Sequence, residues 1–385
     1  MTKSDDLLEG ALTGIRVIDL TRILAGPFCT MLLADMGAEV IKIESPSGGD
    51  AVRSQGIIKD GMSWYFAQFN RNKKSITLDL YTDEGKDKLA TLLKDADILV
   101  ENFRPGVLEK MGLGKAYLNT LNPELIVASV NGYGSAGPYA DRPSFDFIAQ
   151  AMSGFMSVTG EAEGAPMRAA PPMADLIAGL YCAFGAVTAL NSRNSSGKGQ
   201  YVETSLTNSL ISLMAFLSAD YFAGGEVPAR SGNNHAIVAP YGLFKAKDGA
   251  IAVAPSNDTY VERFLDAVSL KHLLDDNRFR TNADRMRNRP ELLKIIDAAT
   301  EQNSVDYWID IINKAGCPCG RVMDLQEVFD DPQVRAMDMV LDVDHGDSGV
   351  VRMTGFPVKL SKTPARVRRP APKLGEHNEE ILGRT

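Results

Sequence analysis

The first part of the chain alternates short apolar runs with amphipathic segments, which is the pattern of a βαβ unit. A β-rich run occupies 16–20, a turn ending at Pro27 precedes a helix predicted over 28–36, and the next strand is predicted at 39–44. Further strands are predicted at 74–80, 97–101 and 125–130, with a helix over 83–94 between the first two. Because strands and helices alternate, the sequence predicts an α/β fold with a mostly parallel sheet.

After Ser135 the pattern becomes helical and apolar, and a second β-rich stretch begins near Tyr241. Helices are predicted over 145–158, 175–190 and 205–224, a hairpin with strands at 241–244 and 250–254, and charged helices over 258–300. Asp248-Gly249 is a dipeptide typical of a hairpin turn. A chain of 385 residues is longer than one hydrophobic core usually serves, so two domains are expected.

The composition is that of an ordinary soluble protein, with 44% hydrophobic and 23% charged residues. A net charge of -8 argues against nucleic acid as the main partner, because phosphate neutralisation requires a basic face. The four cysteines form no C-x-x-C pair, so no zinc site is expected and reduced thiols are predicted.

The first ten residues carry acids and lack the apolar core of a signal peptide. The apolar run at 174–190 is interpreted as a buried helix that is too short for a bilayer span. The expectation is a cytoplasmic protein with no membrane partner.

Several polar segments adjoin predicted strands, and in open α/β sheets ligands gather at the carboxyl ends of strands. The cationic run at 70–75 leads into a strand, E-N-F-R-P-G at 101–106 follows another, and N-G-Y-G at 131–134 follows a third. Each is also compatible with an ordinary loop or helix cap. The first βαβ unit has only Gly26 of the dinucleotide glycine fingerprint, so a structural role is favoured there over NAD binding.

Another segment, P-P-M-A-D-L at 171–176, places Asp175 at the start of an apolar helix. An aspartate in this position most often caps the helix. The same helix N-terminus would also stabilise an ionised carboxylate that acts as a nucleophile. The residues alone leave both roles open.

Taken in order, these segments resemble the family III CoA-transferases over residues 14–382. The resemblance is carried by A-G-P-F at 25–28, G-A-E-V-I-K-I-E at 37–44, N-R-N-K-K-S at 70–75, V-E-N-F-R-P-G at 100–106, N-G-Y-G at 131–134, A-D-L-I-A-G at 174–179, S-G-K-G-Q at 196–200 and D-P-Q-V-R at 331–335. It implies a Rossmann-like large domain with a parallel sheet, formed by 1–224 and 326–385, and a smaller α+β domain at 225–325. It also implies an interlocked homodimer.

The resemblance further implies a mechanism and a set of site residues. Asp175 matches the family's nucleophile, which takes the acyl group from an acyl-CoA and then holds coenzyme A as an aspartyl thioester, without a metal or a prosthetic group. The positions that match the family's contacts to coenzyme A are Leu24, Ala25, Asn102, Phe103, Arg104, Lys110, Asn131 and Tyr133. Leu24 stands where formyl-CoA transferase has glutamine. His235 ends a segment, S-G-N-N-H, that stands in place of the tetraglycine loop of formyl-CoA transferase and is assigned to the substrate.

The expected substrates are an acyl-CoA and a small carboxylic acid, with the greatest likeness to the branch that uses succinyl-CoA and a dicarboxylate. Arg71 is predicted to bind the distal carboxylate, with Arg22 and Arg104 as alternatives. The alternative function is that of the alpha-methylacyl-CoA racemases, which share the fold. It is disfavoured because Phe145 stands where that branch has a histidine base.

Overall fold

The computed structural model describes residues 9–383. Its strands are β1 (Arg16–Asp19), β2 (Glu39–Glu44), β3 (Ile58–Lys59), β4 (Met62–Ser63), β5 (Lys73–Thr77), β6 (Ile98–Glu101), β7 (Ile126–Asn131), β8 (Tyr201–Ser205), β9 (Gly242–Ala246), β10 (Gly249–Val253), β11 (Cys319–Arg321), β12 (Val340–Asp344) and β13 (Val350–Thr354). Short 3-10 helices lie at Ala51–Ser54, Lys271–Asp275 and Gly346–Ser348.

The α-helices, in chain order, are α1 (Ala25–Asp35), α2 (Trp64–Asn70), α3 (Asp83–Lys94), α4 (Val107–Lys110), α5 (Lys115–Leu121), α6 (Asp146–Met152), α7 (Phe155–Val158), α8 (Met173–Ser196), α9 (Leu206–Ser212), α10 (Ala215–Gly224), α11 (Asp258–Ala267), α12 (Asn282–Arg287), α13 (Arg289–Thr300), α14 (Val305–Lys314), α15 (Leu325–Asp330), α16 (Pro332–Ala336) and α17 (Asn378–Leu382).

Residues 9–155, 169–220 and 332–383 form one compact unit around a parallel sheet. The strand order is β5-β2-β1-β6-β7-β8, and every adjacent pair is parallel. The chain moves outward from β1 through β2 to β5, then returns to place β6, β7 and β8 on the other side of β1. The strand order therefore reverses between β1 and β6, and a crevice opens at their carboxyl ends, where such folds bind ligands.

Both faces of this sheet are covered, so its central strands β1 and β6 are almost entirely buried. Val17 and Val40 pack toward α1 and α8 on one face, while Ile18 and Leu99 pack into the opposite core. Successive side chains of a strand point to opposite faces, which explains why neighbouring residues of β1 enter different cores. The predicted α/β class with a parallel sheet is confirmed.

Residues 156–168 and 221–331 form the second compact unit. Its antiparallel sheet has the order β11-β10-β9. The core of this unit includes Phe244, Phe264 and Trp308, all almost fully buried. Residues 156–168 belong to this unit, whereas the division predicted from the sequence placed them in the large domain.

Helix α8 is longer than the sequence pattern indicated. With 24 residues, it is long and apolar enough to cross a membrane, and it is the one such helix among residues 9–383. The prediction that this run is too short for a span is therefore wrong. In the structure Ala178, Cys182 and Ala186 are fully buried in the core, as expected for one face of a core helix.

Candidate functional site

Asp175 lies in the first turn of α8 but does not cap it. Pro172 occupies the N-cap position, and the N–H of Ala174 instead donates to Oδ1 of Asp146 at 2.8 Å. Gln150 fixes Asp146 by donating from Nε2 to Oδ2 at 2.7 Å. The interpretation of Asp175 as the helix cap is therefore wrong, because Asp146 accepts the helix N–H that a capping side chain would accept.

The environment of Asp175 makes its carboxylate unusually basic. Burial, and then the negative charge of Asp146, raise the pKa of Asp175 to about 7. Within residues 9–383 no cation or hydrogen-bond donor is paired with this carboxylate. A carboxyl group that titrates near neutral pH in a partly exposed position is a candidate for catalysis.

Close packing of α1 against α8 brings the loop after β1 toward Asp175. A Cβ added at Gly179 would lie 2.4 Å from the carbonyl oxygen of Ala25 and 3.1 Å from a ring carbon of Phe28. Only glycine permits this approach. Because Asp175 precedes Gly179 by about one helical turn, roughly 5 Å, the start of α1 lies close to the candidate nucleophile.

Tyr65 also lies near Asp175, although no pattern in the sequence indicated it. Burial, followed by the charges of Asp175 and Asp50, raises the pKa of Tyr65 to about 12. Its ring meets Phe69 edge-to-face at 5.7 Å between centroids, and Phe69 meets Phe28 at 6.0 Å. These three rings place an aromatic surface beside the carboxylate.

A cavity of about 390 Å³ opens at the carboxyl ends of β1, β2, β5 and β6. Its lining residues are Leu20, Thr21, Arg22, Ile43, Glu44, Ser45, Gly49, Asp50, Leu78, Asp79, Leu80, Tyr81, Lys86, Phe103, Val107, Lys110 and Met111. The guanidinium of Arg22 lies over the ring of Phe103, 5.1 Å from the centroid. Such a combination of aromatic and cationic groups can stack on a planar base and bind phosphates.

The cavity brings together two of the predicted contacts to coenzyme A, Phe103 and Lys110. Tyr81, which is 98% exposed, and the rest of the 78–81 segment were not predicted. They follow the end of β5 at Thr77. The rule that ligands gather at strand ends would have indicated them, but the predicted strand extended through residue 80.

The other predicted residues around β1 and β6 have different environments. Both ends of the Asn102 amide are occupied, since Oδ1 accepts the N–H of Arg22 and Nδ2 donates to its carbonyl oxygen, each at 2.8 Å. Leu24 and Ala25 are buried, with Leu24 at the N-cap of α1. Arg104 is exposed and does not line the cavity.

Asn131 and Tyr133 follow β7 and do not line this cavity. The amide of Asn131 donates to Glu203 at 3.0 Å and accepts the N–H of Gly134 at 2.5 Å. The hydroxyl of Tyr133 donates to the sulfur of Met152 at 3.2 Å. The Asn131 side chain is therefore used to hold its own turn.

The structure does not support the role predicted for Arg71. This side chain is 2% exposed, and its Nε and Nη2 atoms both donate to the Asp35 carboxylate. Nη1 donates to the carbonyl oxygen of Thr354 at 3.0 Å. A buried arginine that is paired in this way has no free surface for a substrate carboxylate, so the cationic run at 70–75 includes a structural ion pair.

His235 belongs to the second compact unit. Its ring lies 4.8 Å from that of Tyr241, and its Nδ1 accepts the N–H of Ile237 at 3.3 Å. No group of three or more His, Cys, Asp or Glu side chains arranged for a metal ion occurs among the residues that the structure describes.

The sequence model of CoA-transferase family III matches residues 12–378. A succinate–glutarate CoA-transferase of Agrobacterium fabrum is 38% identical over 96% of this chain and 94% of that protein. A succinyl-CoA:mesaconate CoA-transferase of Haloarcula hispanica is 37% identical over 97% of this chain and 96% of that protein. A crystal structure of a CAIB/BAIF family protein from Brucella suis superimposes with a TM-score of 0.86, at 36% identity, over 97% of this chain and 99% of that chain.

Proposed function

Because the chain belongs to CoA-transferase family III, we propose that it transfers coenzyme A from succinyl-CoA to a dicarboxylic acid through intermediates carried on Asp175. The observation that carries the proposal is the Asp175 carboxylate itself. It lies at the start of α8, has a pKa of about 7, and is one helical turn from the contact between Gly179 and Ala25. The choice of substrates rests on the relatives from Agrobacterium fabrum and Haloarcula hispanica, which are named for succinate or succinyl-CoA and for glutarate or mesaconate.

In the proposed first half-reaction, a carboxylate oxygen of Asp175 attacks the carbonyl carbon of the thioester. The carbon–sulfur bond breaks, and a mixed anhydride and the coenzyme A thiolate are formed. The thiolate then attacks the side-chain carbonyl carbon of Asp175, which releases succinate and leaves an aspartyl-CoA thioester.

The second half-reaction reverses this sequence with the acceptor acid. The acceptor carboxylate displaces the thiolate from Asp175 and forms a second anhydride. The thiolate then attacks the acceptor's acyl carbon, which releases the new acyl-CoA and restores the Asp175 carboxylate. Each step exchanges one carboxylate or thiolate for another, so the full cycle needs no net proton transfer.

The surroundings of Asp175 support this chemistry in two ways. The carboxylate is ionised above about pH 7 and has no hydrogen-bond donor among the described residues to weaken it as a nucleophile. The backbone N–H groups of Leu24 and Ala25 lie at the start of helix α1, in the first turn, where N–H groups have no partner within the helix. We propose that they stabilise the negative charge that develops on the thioester oxygen.

Coenzyme A is proposed to lie in the cavity at the carboxyl ends of the strands. Phe103 and the guanidinium of Arg22 would stack on the adenine, and the exposed Lys110 ammonium would pair with a phosphate. Contacts from Arg104, Asn131 and Tyr133 are proposals with weaker support, because none of these residues lines this cavity. The assignment of His235 to the substrate stays a prediction.

A homodimer is proposed from the apolar surface of α8. Leu180, Tyr181, Phe184 and Val187 are all exposed, and Phe184 is 70% exposed. Contiguous apolar patches of this kind mark interaction surfaces in soluble proteins.

Racemisation is not favoured, since Phe145, which is exposed at the start of α6, cannot act as a base.

The activity is tested by incubating the purified protein with succinyl-CoA and, separately, glutarate, mesaconate, oxalate and butyrate, and by following the acyl-CoA products by liquid chromatography. The proposal predicts new acyl-CoA esters of the dicarboxylates and release of succinate in equal amount. Turnover with butyrate alone would contradict the dicarboxylate assignment, and epimerisation of a 2-methylacyl-CoA without transfer would support the racemase alternative.

A further inference from the structure

The segment that joins β1 to α1 contains a strained residue. Ile23 has a φ of 69°, in the left-handed region, where a β-branched side chain is a rare exception. Such a conformation persists only where the surrounding structure holds it, and it is most common at functional sites. Ile23 immediately precedes Leu24 and Ala25, whose N–H groups begin α1.

Asp50 holds this residue in place. Its Oδ1 and Oδ2 atoms accept the N–H of Ile23 at 3.1 and 3.2 Å. The Asp50 side chain is fully buried and forms an ion pair with the equally buried ammonium of Lys42 at 3.0 Å. That ammonium also donates to the carbonyl oxygen of Thr21 at 2.8 Å, so the buried pair anchors two points of the same segment. Asp50 is itself fixed, because its own N–H donates to Oε2 of Glu44 at 2.9 Å.

Two more side chains join Asp50 in a clamp around the segment. Asp19 Oδ1 accepts the N–H of Thr21 at 2.8 Å. Asn102 binds both the N–H and the carbonyl oxygen of Arg22. Every residue from 21 to 23 is therefore tied by a side chain of the clamp.

We propose that Asp50, supported by Lys42, is a positioning residue for the transfer reaction. Acting through the peptide group of Ile23, it sets the direction in which the N–H groups of Leu24 and Ala25 point, and thereby aligns them with the thioester oxygen. This inference rests on the proposed function, in which those two N–H groups meet the acyl-CoA. Asp50 makes no contact with the reacting atoms in this account.

A purely structural role for Asp50 is the competing explanation, since it also caps the short 3-10 helix at Ala51–Ser54 by accepting the N–H of Val52 at 3.3 Å. The two explanations differ in their dependence on the strain at Ile23. Glycine adopts a φ near 69° without help, so Ile23→Gly removes the need for the clamp and leaves the cap unchanged.

The experiment compares the full-length wild type with Asp50→Asn, Ile23→Gly and the double variant. Asp50→Asn is expected to lower kcat by about tenfold or more, as loss of an oxyanion contact does, with little change in KM for succinyl-CoA. The double variant is expected to recover most of that loss. Asp60→Gly in the Asp50→Asn background is the matched control, because Asp60 also has a positive φ, 51°, but lies exposed between β3 and β4. It should restore nothing.

Amide hydrogen exchange of the 21–27 peptide provides a readout that does not depend on turnover. The proposal predicts faster exchange in Asp50→Asn than in the wild type. If Asp50→Asn does not fold, Asp50→Glu keeps the charge opposite Lys42 while shifting the acceptor, and it is measured in the same way.

An unchanged kcat in a folded Asp50 variant would overturn the positioning role, as would a loss that Ile23→Gly restores no better than Asp60→Gly does. Absence of transfer by the wild type would instead contradict the proposed function. In that case the exchange comparison would still decide whether Asp50 holds the segment.

Discussion

Asp146 accepts the N–H of Ala174 at 2.8 Å and thereby directs a second carboxylate toward Asp175, the next residue of α8. The two acids are not equivalent. Asp146 is buried and hydrogen-bonded through both oxygens, whereas Asp175 is partly exposed and has no paired donor among the described residues. Asp146 thus caps the helix and also makes the adjacent nucleophile more basic.

This pair determines the pH dependence that we expect of the reaction. Because the ionised form of Asp175 is the nucleophile, kcat/KM for succinyl-CoA should rise with pH and level off above an apparent pKa near 7. Asp146→Asn keeps an oxygen that accepts the Ala174 N–H but removes the charge, so the rise should shift to lower pH. An unshifted profile measured over about pH 5–9 in a folded variant would contradict the electrostatic role of Asp146.

The same pKa affects stability. Between the ordinary value of 3.8 and about 7, the folded protein retains the Asp175 proton that the unfolded chain releases, so this group lowers wild-type stability as pH rises through that window. Asp175→Asn should therefore raise Tm relative to the wild type at about pH 8 and have no such benefit below about pH 4. Thermal melts followed by circular dichroism at both pH values provide the test. A benefit as large at the acidic pH as at the alkaline one would contradict the raised pKa.

Tyr65 is expected to exclude water from the intermediates. Tyr65→Ala removes a ring that packs against Phe69 next to Asp175, and it should raise the ratio of acyl-CoA hydrolysis to transfer by roughly tenfold. Tyr65→Phe keeps the ring and is the matched control, with a ratio near that of the wild type. Both products can be quantified in one chromatographic assay. Equal ratios for the alanine variant and the wild type would show that the ring does not protect the site.

Arg71 is expected to matter for stability and not for substrate binding. Arg71→Met leaves the buried carboxylate of Asp35 unpaired and should lower the free energy of unfolding by about 3–5 kcal/mol. Replacing Asp35 as well, with Asn, should recover part of that loss. KM for the dicarboxylate should remain within about threefold, because no direct charge-assisted bond to substrate is lost. A selective rise in KM for dicarboxylates over monocarboxylates would restore the substrate-binding role predicted for Arg71.

The strongly periodic elements were predicted well from the sequence. The strand at 39–44 and the helix at 83–94 have the predicted bounds, because β-branched residues mark the strand locally and a Thr82 cap marks the helix. The predicted elements did not include β8 or the β12–β13 hairpin, whose strands alternate or expose many of their residues. Local pattern does not reveal a strand whose stability depends on pairing with a distant neighbour.

The candidate site was harder to predict from the sequence than the fold was. Phe103, which was predicted after a strand end, and Lys110, which was assigned from the family resemblance, both line the cavity, and their contacts to coenzyme A stay predictions. The role of Arg71 could not be judged, because only the fold reveals that a cation in a polar run is buried against Asp35. Tyr65 lies in an aromatic run that is equally typical of a core helix, so its proximity to Asp175 depends on tertiary structure alone.

The most direct test of the proposed mechanism is covalent trapping. Protein incubated with succinyl-CoA and then with hydroxylamine or borohydride should carry a modification on the peptide that contains Asp175, detected by tandem mass spectrometry. Asp175→Ala should show no modification and retain less than about a hundredth of the wild-type rate. Modification of a cysteine, such as Cys182, with Asp175 unmodified during turnover would contradict the aspartyl mechanism.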